Sequence, residues 1–121
     1  MRVVVDHTER RSNKMPIYVT LLKNTAQGAK EIKDFGKAVE EAAGWIASDG
    51  GKVIGAYALQ GNYDFLWITE YPDHKGIGKS LLSAAARGLV VTETLEALPV
   101  DQFVALLNSP GMTERFGQIK S

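Results

Sequence analysis

Lys52-Val53-Ile54-Gly55-Ala56-Tyr57-Ala58-Leu59, then Gly61-Asn62-Tyr63-Asp64, then Phe65-Leu66-Trp67-Ile68-Thr69-Glu70: this stretch decides the architecture. Two β-prone runs joined by a Gly-Asn pair predict a tight hairpin, because glycine takes positive φ freely and asparagine tolerates it. With Gly61-Asn62 as a two-residue loop, Gln60 lies opposite Tyr63. Ala58 then faces Phe65, and Ala56 faces Trp67, on one side of the sheet. Leu59 with Asp64, Tyr57 with Leu66 and Val53 with Glu70 fall on the other side. Both sides are largely apolar, so both need cover.

Upstream, Ile17-Tyr18-Val19-Thr20-Leu21-Leu22 reads as a strand. Thr25 is the N-cap of a helix whose Ile32, Phe35, Val39, Ala42, Ala43 and Ile46 recur at helical spacing. Asp49-Gly50-Gly51 ends it. Downstream, Tyr71-Pro72 breaks the hairpin strand and Asp73 caps a second helix. Its Ile77, Leu81, Leu82, Ala84 and Ala85 offer a small-residue face for close packing on a sheet. Gly88 closes that helix, Leu89–Glu96 is a fourth strand, and Pro99–Leu107 is a short helix. The order β-α-β-β-α-β predicts an α+β, ferredoxin-like fold with a four-stranded antiparallel sheet and two helices on one face. The uncovered apolar face calls for a second copy, giving a sheet-to-sheet homodimer of the dimeric α/β-barrel kind.

Residues 1–14 read as a flexible N-terminal arm, 15–107 as the folded domain, and 108–121 as a loose C-terminal tail. Met15 would serve equally as the start of the minimal domain.

Several short motifs then occur in order: Thr25-Ala26-Gln27-Gly28, Gly50-Gly51, Gly61-Asn62-Tyr63-Asp64, Glu70-Tyr71-Pro72-Asp73 and Thr92-Glu93-Thr94. Together they resemble the GYD-domain family, over roughly Met15 to Phe103. The resemblance implies a ferredoxin-like protomer and face-to-face dimerisation; it brings no catalytic residue with it. The chain departs from the family pattern at His74-Lys75-Gly76-Ile77-Gly78, where acidic and alanine residues are usual.

Composition excludes several chemistries. The 121 residues hold 14 basic and 14 acidic side chains, a balance that argues against bulk attraction to nucleic acid or to an anionic membrane. The arm carries Arg2, Arg10, Arg11 and Lys14 against Asp6 and Glu9, which reads as a solvated segment. There is no cysteine, so no disulfide and no thiolate ligand or nucleophile. His7 and His74 stand apart from any carboxylate cluster, so no metal and no cofactor is expected. No apolar run approaches the ~20 residues a membrane helix needs, and no secretory leader is visible, so the expected location is cytoplasmic.

The candidate pocket or interface residues are Tyr18, Thr20, Tyr57, Tyr63, Trp67, Thr92 and His74. Strand-borne hydroxyls and aromatic edges line small-ligand cavities between protomers, and they equally pack large interfaces. Tyr63 and Asp64 are adjacent on a strand, point to opposite faces, and cannot share a site; Asp64 reads as an acceptor for turn amides. Gly76-Ile77-Gly78-Lys79-Ser80 imitates a phosphate loop, but the first glycine that loop requires is Asp73 here, which repels phosphate. His74 is a residue type suited to general-base work, and also holds the position of an ordinary helix-start residue.

Two functions are thus expected to compete. One is a non-catalytic homo-oligomer, or one that binds a small ligand between paired sheets. The other is a cofactor-independent enzyme, of monooxygenase, isomerase or lyase type, acting on a small aromatic or carbonyl compound. The latter rests on fold analogy, and Tyr18, Tyr57, Trp67 and His74 are its residues to test.

Overall fold

A computed structural model describes residues 15–118. The expected arm at 1–14 lies outside the described residues, as do the last three positions. Four strands, β1 (Ile17–Asn24), β2 (Lys52–Ala58), β3 (Phe65–Glu70) and β4 (Val90–Ala97), form one antiparallel sheet in the order β2-β3-β1-β4. That is the ferredoxin-like arrangement predicted from the alternation of elements.

The helical layer differs in detail. The first helix is broken into α1 (Ala26–Lys30), a 3₁₀ turn (Ile32–Asp34) and α2 (Phe35–Ser48). Thr25 caps α1 as expected: its hydroxyl accepts from the Gly28 amide (3.1 Å) and donates to the Gly88 carbonyl (2.7 Å). A Cβ on Gly28 would lie 2.0 Å from the Leu89 carbonyl oxygen, so α1 rests directly on the backbone leading into β4. Helix α3 (His74–Arg87) starts at Asp73, whose carboxylate accepts from the Lys75 amide (2.8 Å). It ends at Gly88 in the left-handed region, φ 70°, where a side chain would be strained.

One face of the sheet packs on α2 and α3 around Tyr18, Ile46, Tyr71 and Ile77, with Val53, Trp67 and Leu81 completing the core. Tyr71 is 0% exposed. Its ring meets Tyr18 edge-on, centroids 6.1 Å apart, and its hydroxyl donates to Ser80 (2.8 Å), which donates to Asp49 (2.9 Å). Cβ atoms on Gly51 and Gly76 would strike this ring at 2.4 and 2.6 Å. The glycines that imitate a phosphate loop are therefore explained in part by clearance for a buried tyrosine.

Three expectations change. The hairpin connection spans 60–63, closed by the Leu59 amide donating to the Asp64 carbonyl (2.8 Å), with Gly61 at φ 147°, and Gln60 does not pair with Tyr63 in the ladder. The register from Gly55 to Ala58 is the predicted one, but a bulge at Ile54 shifts the earlier residues. Val53 pairs with Thr69, not Glu70, and so turns into the core. The third change is at the C-terminus. Where a loose tail was expected, the chain forms α5 (Met112–Gln118) after α4 (Val100–Leu107). Val100, Phe103, Val104 and Phe116 of this helical pair are exposed.

Candidate functional site

Strand alternation sorts the sequence-selected residues onto two surfaces. Tyr18, Thr20, Trp67 and Thr92 face the helices. Thr20 pairs across the sheet with Trp67 on one side and Thr94 on the other, the two threonine hydroxyls lying 3.3 Å apart. Tyr57 lies on the opposite, open face and is 60% exposed. Tyr63 leaves the hairpin loop to donate to Glu93 on β4 (2.5 Å), and that bond with the glutamate's charge raises its phenol pKa. Asp64 turns the other way. Its carboxylate accepts from the Asn24 amide (2.7 Å) while its own amide donates to the Leu22 carbonyl (2.8 Å). The Gly-Asn-Tyr-Asp element thus clamps the hairpin to β1 and β4. The bond Asp64 makes is to a strand forty residues away in sequence, not to the turn amides predicted for it. His74 is exposed in the first turn of α3. These residues do not converge on one reaction centre.

The open face carries Leu21, Ile68, Tyr57, Val91 and Leu95, the last two 61% and 50% exposed. Isolated exposed apolar groups are ordinary, but here they stand side by side on adjacent strands. On the other side of the sheet, a cavity of about 150 Å³ lies between β1, β3 and β4 and the helices. Its walls include Thr20, Trp67 and Thr92, and also Phe65, Phe35 and Thr69. The sequence reading missed Thr69 although its signal was present, since Phe65, Trp67 and Thr69 share one face by alternation. The space exists because Ala38, Ala42 and Ala84 put short side chains over the sheet. The small face expected to pack closely does so only in part: Ala84 borders the cavity, while Leu82 of the same helix is 73% exposed.

Burial raises the Tyr18 pKa, helped by the Glu96 and Asp73 carboxylates, and its hydroxyl has no partner. Burial also raises that of Tyr71; the hydrogen bond to Ser80 partly opposes it, and the Asp49 charge adds to it. Both phenols stay protonated at neutral pH. Among the described residues no helix is long and apolar enough to cross a membrane.

The GYD domain matches residues 18–107. A Thermus thermophilus protein named glutamine synthetase and cystathionine beta-lyase binding protein is 34% identical over 94 residues, covering 77% of this chain and 99% of that one. Among solved structures, MtbAldR superposes with a TM-score of 0.54 at 12% identity, over 81% of this chain and 60% of that one. An AsnC family transcriptional regulator from Agrobacterium tumefaciens gives 0.51 at 18% identity, over 84% and 67%. At these identities the two likenesses concern the fold alone. This chain spans less than two thirds of the first structure.

Proposed function

For a chain that belongs to the GYD-domain family, we propose a non-catalytic, protein-binding role in the cytoplasm, exercised as a homodimer. The observation that carries this reading is the apolar open face around Tyr57, Leu21, Ile68 and Leu95, bordered at β4 by Glu93, which Tyr63 bonds. A sheet face of this composition is stable in water only when covered. A second copy supplies an identical, self-complementary face through a two-fold axis, and sheets packed this way sit about 10 Å apart.

The relative from Thermus thermophilus is named for binding glutamine synthetase and cystathionine beta-lyase, and this chain matches nearly the whole of it. That supports a paired module whose outer surface docks on such an enzyme. No specific observation favours catalysis. Tyr18 and Trp67 are separated from Tyr57 by the sheet, and His74 stands in solvent at a helix start.

Sedimentation equilibrium at low micromolar concentration tests the pairing, with Leu95→Glu as the disrupting variant. Wild-type protein is expected at twice the protomer mass and the variant at the protomer mass. A well-folded wild-type monomer would refute the pairing. Immobilised protein is then offered glutamine synthetase and cystathionine beta-lyase from its own host. Saturable binding of one of them is expected, and failure of both at tens of micromolar would refute the enzyme-binding reading.

A further inference from the structure

The cavity beneath α2 and α3 belongs to a single protomer and plays no part in the pairing described above. Its walls are mostly apolar. Phe35 and Phe65 stack at one side with centroids 4.5 Å apart and planes 17° from parallel. Trp67, Ile77 and Leu81 continue the lining. At about 150 Å³ the volume is that of a single aromatic ring; an engineered cavity of about this size lined by Leu, Ile and Phe takes up benzene.

Of the polar groups in the wall, which include Thr20, Asn24, Thr92 and Ser80, one is both buried and without a partner. Thr69 is 2% exposed, its hydroxyl has no hydrogen-bond partner, and it borders the cavity. A buried hydroxyl left unpaired is costly, and a ligand that bonded it would recover that cost on binding. Thr92 and Asn24 are only half-buried, and two further hydroxyls are already engaged. Thr20 is bonded to Thr94, and Ser80 to Tyr71 and Asp49. The basic group at the rim is paired as well. Arg87 pairs with Glu41 (3.0 Å) and lies 5.1 Å over the Trp45 ring, while Glu31 accepts from Gln27. The rim therefore offers no unpaired cation to a carboxylate, and the Glu31 carboxylate, exposed to solvent, keeps its charge outside the apolar wall.

We propose that this cavity is a binding site for a small neutral aromatic molecule of one ring carrying one hydroxyl, its ring held by the apolar wall and its hydroxyl bonded to Thr69. Such a ligand would occupy the protomer interior and leave the open sheet face free. The site is thus independent of the proposed pairing, and either can fail without the other.

The test uses the full chain, with p-cresol and toluene as probes, read by titration of methyl NMR signals from Thr69, Ile77 and Leu81. Both probes are expected to saturate these signals, p-cresol about fivefold more tightly, the increment of one neutral hydrogen bond. Thr69→Val is expected to abolish that difference and leave toluene affinity unchanged or improved. Ala84→Leu, which fills the space, is expected to lose both probes; if it does not fold, Thr69→Val still decides. Leu95→Glu is expected to bind both probes as the wild type does. No saturable shift with either probe would overturn the proposal, as would equal affinity for the two in the wild type. Loss of probe binding in Leu95→Glu would overturn it too, because that would place the site between protomers.

Discussion

Replacing Gly76 by alanine is expected to destabilise the protein, while the same change at Gly78, two residues along the same helix, stabilises it. A Cβ on Gly76 would lie 2.5 Å from the Asp49 carbonyl oxygen and 2.6 Å from the Tyr71 ring. Neither neighbour yields easily. The carbonyl belongs to the residue capping α2, and the Tyr71 ring is fully buried with its hydroxyl bonded to Ser80. Overpacking costs about 1–3 kcal/mol, and with a backbone oxygen as one of the two obstacles the upper part of that range, about 2–3 kcal/mol, applies. Alanine's better helix propensity offsets roughly 1 kcal/mol of it. The net expectation is a loss of about 1–2 kcal/mol. At Gly78 a Cβ meets nothing within 4 Å, so only the propensity term remains, a gain of roughly 0.5–1 kcal/mol. Urea unfolding followed by circular dichroism, at one protein concentration for all variants, measures both. Should Gly76→Ala prove as stable as wild type, the clearance around Tyr71 is not what that glycine serves, and the phosphate-loop imitation would need another explanation.

Gly28→Ala is expected to cost at least as much as Gly76→Ala, because its Cβ meets a backbone oxygen at 2.0 Å, and hydrogen exchange should localise the loosening to α1 and the start of β4. Asp64→Ala removes a charged acceptor from the Asn24 amide and is expected to cost about 1.5–3 kcal/mol, read as a lower urea midpoint without loss of the sheet's circular dichroism signal. Tyr71→Phe should lose about 1 kcal/mol with its bond to Ser80, whereas Tyr18→Phe, deleting a buried hydroxyl with no partner, should be neutral or stabilising. Both tyrosines have pKa values raised above 10.0 in the folded state. The unfolded chain therefore ionises first, and their contribution is constant below pH 10 and lost as pH rises through the folded values. Each Phe variant is expected to flatten the alkaline limb of a stability–pH curve, and an unchanged slope in both would refute the assignment.

Much of the fold was legible because strand and helix periods are local. Ala56, Ala58, Phe65 and Trp67 share a face by alternation alone, and the sheet places them so. Thr25, Asp73 and Gly88 terminate helices through their own side chains or lack of one, and they do so here. The bulge was not legible, because Ile54 and Gly55 both suit a straight strand and only the packing of Val53 reveals the shift. Asp64 was misassigned a local partner because a bond to an amide forty residues away leaves no mark in local pattern. The cavity was hidden for a similar reason. Ala38, Ala42 and Ala84 read equally well as tight packing, and the space they leave depends on how far the helices stand from the sheet.

The bulge at Ile54 has a bearing on how copies of this chain meet. β2 is an edge strand, and an edge with free amides and carbonyls invites another strand to add alongside it, a process with no natural end. An interrupted ladder with Lys52 near its start is a poor template for such growth. Contact through the broad face, by contrast, uses up the whole surface in a single encounter. At the β2 edge, one extra residue in one strand therefore disfavours filament growth relative to the proposed face-to-face pairing, while β4, the opposite edge, keeps a regular ladder.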